Sequence, residues 1–364
     1  MGCARRAVPR PRNTLHTAAR TWYNSREMAN AGYRDVAFSC DDNGARFLLV
    51  SVWSLLAHYR GSAPIRVNVL NGYGGHGDGN RRALAEVVAR FPGATVRYID
   101  VERAVAPYAD LIMDREGSRW NVFTWTPVFA PELLADATGN VAHFDIDMLF
   151  NDDVSKILDI DLGDDIIAAV AEYQRGGGDV ESRIWGDGIL PPEAERYFNT
   201  GTLVFNADAC RKERTRERLL DWYRVHYDVA DRIEQDAWNA LYWRRIRRLP
   251  IRWNFHDRHV KNFAKWDVGQ GSWLGNPAEE CLEAALNPAI LHFWGPKKPW
   301  KTCHRPYRRL YHEAMRAVGQ TPPPEPLLAP LHDFLARRSL SRITRRRAAL
   351  AQSGGVAGGA AVVL

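Results

Sequence analysis

The chain has 364 residues, 46% of them hydrophobic and 25% charged, with a formal net charge of +6. That length and apolar content allow a large buried core, as one large domain or one domain with an appendage. No run approaches the ~18 consecutive apolar residues of a membrane-spanning helix. The five cysteines (Cys3, Cys40, Cys210, Cys281 and Cys303) form no CxxC pair and no zinc spacing, which fits a reducing cytoplasm.

Residues 1–30 carry arginines at positions 5, 6, 10, 12, 20 and 26 with no apolar stretch behind them, so a secretory signal is not expected. This segment reads as a disordered or mis-called extension, with Met28 an alternative start. Asp35–Ser39 reads as a short buried strand, followed by the polar turn Cys40-Asp-Asp-Asn-Gly44. A helix is expected over Ala45–Tyr59, with Phe47, Leu48, Val50, Ser51 and Leu55 on its apolar face. Ile65–Leu70 is a second strand, and the glycine-rich run Asn71–Gly79 after it lacks the Gly-Lys-Ser/Thr of a phosphate loop. A helix over 81–91 and a strand over Thr95–Asp100 follow. Strands alternating with helices argue for a doubly wound α/β sheet.

Residues 122–137 are predicted helical and lead into Val141-Ala-His-Phe-Asp145-Ile-Asp147. Alternate residues of an extended chain share a side, so Asp145 and Asp147 can face one ligand. Close carboxylates repel unless a cation lies between them, and hard divalent metals take such oxygen donors. Ile166–Ala171 is strand-like and ends at Glu172. The Gly- and Pro-rich stretch 174–193 reads as a mobile loop, Tyr197–Asn206 as a strand, and Ala207–Tyr227 as one charged helix. Arg247–Phe255 and Ala289–Phe293 supply later strands. In a doubly wound sheet, ligands sit outside the carboxyl ends of the strands. Asp41–Asn43, Asp145, Asp147, Glu172, Asn199 and His292 all fall there.

Several separated motifs between Asp35 and Trp300 resemble, in order, those of family 8 glycosyltransferases, which include bacterial lipooligosaccharide galactosyltransferases and glycogenin. Phe38-Ser-Cys-Asp-Asp-Asn43 resembles the opening strand and turn that hold the uracil and ribose. Asp145-Ile-Asp147 matches the Asp-x-Asp, and Tyr197-Phe-Asn-Thr-Gly201 resembles a Phe-Asn-Ala/Ser-Gly segment. Glu234-Gln-Asp236 followed by Asn239 resembles Asp-Gln-Asp-x-x-Asn. His292-Phe-Trp-Gly-Pro-Lys-Lys298-Pro-Trp300 is close to His-x-x-Gly-x-x-Lys-Pro-Trp, the most specific of the set.

The resemblance implies a GT-A, Rossmann-like, doubly wound mixed sheet over 31–305, and retaining transfer of a hexose from a UDP-sugar (UDP-galactose or UDP-glucose) with Mn²⁺. It implies metal ligation by Asp145, Asp147 and His292. It implies contacts to the nucleotide sugar from Asp41, Asn43, Asp145, Asn199, Gly295 and Lys298. Catalytic roles fall to Gln235, Glu234 and Glu172. The acceptor is expected to be a cell-surface glycan or a lipid-linked saccharide. An amide such as Gln235 is a poor nucleophile, which favours same-face attack over a covalent double displacement.

Three departures from the family pattern stand out. A Tyr-x-Arg-Leu arginine that contacts the donor is replaced by Trp125-Thr-Pro-Val-Phe-Ala-Pro131, with Pro127 or a neighbour in its place. Glu172 and Glu234 stand where the family has aspartates. The competing reading is a catalytically weakened nucleotide-sugar binding protein.

Residues 306–364 are expected to form a basic helical tail and a disordered C-terminus. After the break Thr321-Pro-Pro-Pro-Glu-Pro326, Leu327, Leu328, Leu331, Phe334 and Leu335 recur at helical spacing and run into Arg337, Arg338, Arg342, Arg345, Arg346 and Arg347. An apolar stripe running into arginines describes an interfacial helix, so the expected location is cytoplasmic and peripheral on an anionic membrane face. No nucleic-acid-binding signature is present.

Overall fold

The computed structural model describes residues 32–72, 75–112, 122–174, 185, 188–265, 272–273, 276–301 and 306–352. The expected N-terminal extension, most of the 174–193 loop and residues 353–364 lie outside these.

Twelve strands occur among the described residues: β1 Arg34–Ser39, β2 Ile65–Asn71, β3 Ala94–Asp100, β4 Asn140–Phe144, β5 Met148–Phe150, β6 Ile167–Gln174, β7 Arg196–Asn206, β8 Ile246–Leu249, β9 Phe255–His256, β10 Ser272–Trp273, β11 Asn276–Pro277 and β12 Ile290–His292. Seven form the main sheet in the order β3-β2-β1-β4-β7-β6-β8, and β5-β12-β9 form a small second sheet. β3, β2, β1 and β4 run parallel, with Val36 opposite both Val67 and Ala142. β7 is antiparallel to β4 and to β6, so the sheet is mixed. Every residue of β2 is buried, as expected of a parallel strand covered on both faces.

Strand alternation divides the core into two layers. Val36 and Phe38 of β1, with Ala142 and Phe144 of β4, face the layer built on the helix Ala45–His58. Ala37 and Val141 face the opposite layer, beneath the helices Val122–Leu133, Thr215–Val225 and Glu234–Tyr242. The fold is the expected α/β one, with two local corrections. The single helix expected over Ala207–Tyr227 breaks at Arg214, which adopts a left-handed conformation (φ 56°). The strand expected over Arg247–Phe255 stops at Leu249. Pro250 offers no N–H to the ladder, and the chain enters a 3₁₀ turn over Ile251–Asn254.

The helix Arg308–Ala317 buries Tyr311, Ala314 and Met315 in the first core layer, and the helix Ala329–Gln352 adds Ile343. Arg308, 2% exposed, pairs with Glu325 and with Asp333. Arg347 bridges to Glu283 at 2.6 Å, and Arg346 donates to the Phe263 carbonyl. Leu327, Leu328, Leu331, Phe334 and Leu335 are exposed. No helix among the described residues is long and apolar enough to cross a membrane.

Candidate active site

β4 ends at Phe144 and β5 begins at Met148, so Asp145 and Asp147 occupy the short turn between two strands. The Asp145 N–H donates to the Gly201 carbonyl at 3.0 Å, and Ser51 Oγ lies 2.8 Å from the carbonyl oxygens of both Ile146 and Met148. β12 pairs antiparallel with β5, with His292 opposite Met148, which delivers the imidazole to the aspartates. His292 Nε2 is 3.2 Å from Asp147 Oδ1 and 3.6 Å from Asp145 Oδ2. One donor atom from each of the three residues lies within 4.8 Å of the others.

The other imidazole nitrogen is held from behind. His292 Nδ1 is 2.8 Å from Asn254 Oδ1, Asn254 Nδ2 donates to Asn199 Oδ1 at 2.6 Å, and the Gly201 N–H donates to the same oxygen at 2.9 Å. Because each amide presents its oxygen on one side and its nitrogen on the other, the chain is consistent only with a proton on Nδ1. Nε2 then faces the carboxylates, and its lone pair becomes available to a cation once its proton leaves. Gly201 is needed for the approach: a Cβ there would sit 2.7 Å from His292 Cε1 and 2.9 Å from Asp145 Oδ2.

Asn199 links this trio to a second polar group. Its Nδ2 donates to Glu172 Oε2 (3.1 Å) and Gln235 Oε1 (3.2 Å). Gln235 Oε1 also accepts from the Thr200 N–H (3.1 Å), while Gln235 Nε2 donates to Tyr197 Oη (3.0 Å) and Glu172 Oε2 (3.3 Å). Tyr197 Oη in turn donates to Asp236 Oδ1 at 2.5 Å. Thr200 Oγ1 donates to Glu234 Oε1 at 3.0 Å, and the Arg232 guanidinium lies 3.6 Å from Glu172 Oε2. Asn239 pins the strand by accepting from the Phe198 N–H and donating to its carbonyl.

At the other end, Lys298 Nζ contacts Asp147 Oδ2 and donates to the Phe293 carbonyl at 3.0 Å, whereas Lys297 is exposed. Phe47 and Trp300 stack with ring centroids 3.9 Å apart. Asp41 accepts from the Gly44 N–H at 2.8 Å, capping the turn after β1. A single cleft of about 490 Å³ joins these groups. Asp41, Asp145, Asp147, Glu172, Asn199, Glu234, Gln235, His292 and Lys298 all line it. Asn43 and Gly295 lie outside its lining. Asn43 donates to Asp41 instead, and Gly295 has a φ of 85° with the Arg258 guanidinium against it.

Burial shapes the electrostatics. Enclosure pushes Asp145 up to about 6, with the charge of Asp147 adding to it, although 47% of its side-chain surface still opens into the cleft. Burial acts the same way on Asp147, but the charges of His292 and Lys298 outweigh it and hold that carboxyl well below its usual range. Burial opposes protonation of His292, yet the two aspartates leave it above the ordinary histidine value. Burial raises Glu234 well above a normal glutamate and so favours its protonated form.

Residues 35–303 match the sequence profile of Glycosyl transferase family 8. The chain is a family 8 glycosyltransferase. General stress protein A of Bacillus subtilis (strain 168) is 27% identical over 282 residues, which cover 76% of this chain and 91% of that protein. The galactosyltransferase LgtC, solved with donor and acceptor sugar analogs, is 26% identical with a TM-score of 0.63, covering 79% of this chain and 97% of LgtC. The bifunctional glycosyltransferase WbbM shares the fold at 20% identity and a TM-score of 0.60. The likeness covers 83% of this chain and 51% of WbbM, so this glycosyltransferase spans about half of that protein's length. The fold is GT-A.

Sequence reasoning about this glycosyltransferase missed Asn254, Thr200, Arg232 and the Tyr197–Asp236 pair as parts of the cleft network. Thr200, Tyr197 and Asp236 lie inside motifs already singled out, so strand alternation and helix spacing could have flagged them. Arg232 lies two residues before Glu234 and was readable only as a surface charge. Asn254 gave no signal, because its place behind His292 depends on β12 pairing with β9.

Proposed function

We propose that this glycosyltransferase moves a hexose from UDP-galactose or UDP-glucose to a cell-surface glycan or lipid-linked saccharide, using Mn²⁺ and retaining the anomeric configuration. The observation that carries this is the Asp145–Asp147–His292 trio at one part of the cleft and Glu172, Glu234 and Gln235 at another. Two carboxylates with an imidazole suit Mn²⁺ better than Mg²⁺, and Gly201 leaves the space beside them clear of a side chain. A metal held there supplies neutralisation of the diphosphate charge that builds as the sugar departs.

The chain's own residues do the rest. Lys298 offers a compact cation to the leaving phosphate. Asp41 stands at the nucleoside end, with Asn43 ordering it from behind. Both ends of the Gln235 amide are engaged by Thr200, Asn199, Tyr197 and Glu172, so Gln235 acts by positioning and by its dipole. Same-face attack follows, with the leaving phosphate taking the acceptor's proton. Glu234 lines the cleft and accepts from Thr200, which leaves its second carboxyl oxygen to meet the sugar.

UDP titrated calorimetrically with and without Mn²⁺ tests this reading. Mn²⁺-dependent UDP affinity that disappears in a folded Asp147→Asn variant supports it, and unchanged affinity in that variant overturns it. An α-linked product, read from its NMR coupling constant, is expected from an α-linked donor; a β-linkage refutes retention.

The C-terminal helix supports a second part of the proposal, association with the cytoplasmic face of an anionic membrane. The exposed Leu328, Leu331 and Leu335 continue at helical spacing into exposed Arg338, Arg342 and Arg345. Each arginine near such a surface contributes about 1 kcal/mol, weakened by salt. Leu328 and Leu331 are at least half exposed, while Arg346 and Arg347 tie the helix to Phe263 and Glu283.

A further inference from the structure

We infer that Arg232 and Glu172 form a charge-compensated pair that reads the hydroxyls of an uncharged donor sugar and turns away a sugar bearing a carboxylate. The inference rests on the nucleotide-sugar reading above and deepens it. Both residues line the cleft on the Gln235 side, away from Lys298. The Arg232 guanidinium stands 3.6 Å from Glu172 Oε2 and 5.4 Å from the centre of the Tyr197 ring, so its charge and one face are already engaged.

The backbone also holds this arrangement. Ile233, a buried β-branched residue, sits at φ 44° between Arg232 and Glu234. Such residues rarely occupy the left-handed region, and strain of this kind persists where the surroundings enforce it. Here it sends the isoleucine into the core while both flanking side chains line the cleft. The Arg232 N–H donates to Asp236 Oδ2 at 2.9 Å, tying the turn to the carboxylate that orients Tyr197.

Counting charge at this end decides the ligand class. Arg232 and Glu172 offset one another, burial favours the protonated form of Glu234, and Asp236 already accepts from Tyr197 and from the Arg232 backbone. A hexose finds donors on the guanidinium and an acceptor on Glu172 side by side. A hexuronate would bring a carboxylate beside Glu172, and among the described residues the Arg232 charge there is already offset. Like-charge juxtaposition is an effective way to reject a ligand. The helix Val122–Leu133 contributes only Phe123, Thr124 and Pro127 to the lining, so Arg232 is the cation at this end among the described residues.

The experiment compares Mn²⁺-dependent affinities of UDP, UDP-glucose, UDP-galactose, UDP-glucuronate and UDP-galacturonate for the full chain, Glu172→Gln, and Glu172→Gln/Arg232→Gln. The wild type is expected to bind the better UDP-hexose at least about tenfold more tightly than either UDP-hexuronate. Glu172→Gln, by removing the carboxylate that offsets Arg232, should move that ratio about tenfold or more toward the hexuronate, and the double variant should lose the gain. Equal wild-type affinity for hexose and hexuronate donors overturns the inference, as does an unchanged ratio in folded Glu172→Gln. If Glu172→Gln does not fold, the wild-type comparison decides alone. No binding of UDP itself would instead remove the nucleotide-sugar reading, which separates the two failures.

Discussion

The 2.8 Å contact between His292 Nδ1 and Asn254 Oδ1 decides which ring nitrogen faces Asp145 and Asp147. A histidine ligand is commonly oriented by a hydrogen bond to its second nitrogen, and losing that bond costs roughly 10- to 100-fold in metal affinity. Asn254→Leu is therefore expected to weaken Mn²⁺ by that factor at saturating UDP. Asn254→Asp, which keeps the accepting oxygen, should stay within a few-fold of wild type. Calorimetric Mn²⁺ titration checks both, and equal affinity in Asn254→Leu would falsify the orienting role.

Gly201→Ala places a methyl group against His292 and Asp145 where no room exists. Overpacking of this kind costs about 1–3 kcal/mol. The expected outcome is a lowered urea midpoint together with loss of the stabilisation that Mn²⁺ and UDP confer. Retention of full ligand-induced stabilisation would show that the strand shifts without disturbing the trio.

His143, two residues before Asp145, supplies a pH-dependent part of stability. It is buried, its Nε2 is 2.8 Å from Ser39 Oγ, and burial lowers it to about 3. Unfolded, the ring takes a proton near 6.5, so below that pH the unfolded state binds more protons than the folded one. Stability is thus fully present above 6.5 and is lost as pH falls toward the folded value. Between pH 6.5 and 5 the loss is about 2 kcal/mol. Urea midpoints measured across that range should slope less steeply in His143→Leu than in wild type; parallel slopes would rule His143 out.

Arg308 ties the C-terminal helix to the preceding one through Glu325 and Asp333. Arg308→Met removes both links, though Asp333 keeps Arg309 at 2.6 Å. A loss of about 1 kcal/mol is expected from the removed links, because Glu325 is exposed and Asp333 keeps a partner, with faster protease cleavage over 318–328. Unchanged cleavage would mean that Ile343, Leu340 and Leu350 hold the helix unaided.

Membrane association is checked by co-sedimentation with anionic vesicles. Leu331→Glu/Phe334→Glu changes two exposed side chains and leaves the buried Ile343 in place. Binding that falls by about tenfold or more in the double variant, and with added salt, is the expected outcome. Equal binding by the two forms removes the proposal.

Much of the fold was legible in the sequence, because the strands carry their own periodicity. β1, β2 and β3 sit within a residue of where their apolar runs place them, and the Asp-x-Asp turn lies at a strand end as the run from Val141 to Phe144 requires. Motif spacing also nominated His292, Lys298, Glu172 and Gln235, all of which line the cleft. The break at Arg214 and the end of β8 at Pro250 were harder to read, since a short charged helix and a short strand leave weak local signals.

Sequence by itself determined which residue types could bind a metal and a charged leaving group, and in what order they occur along the chain. Tertiary structure decided which of them meet. Asn254 reaches His292 through the pairing of β12 with β9, and Arg232 reaches Glu172 through a strained turn at Ile233. Asn43 donates to Asp41 and Gly295 turns the backbone, both outside the cleft lining. Such choices depend on distances of 3–4 Å between residues tens of positions apart, and hydrogen bonds and ion pairs fall away steeply beyond that range. Linear spacing encodes no such distance.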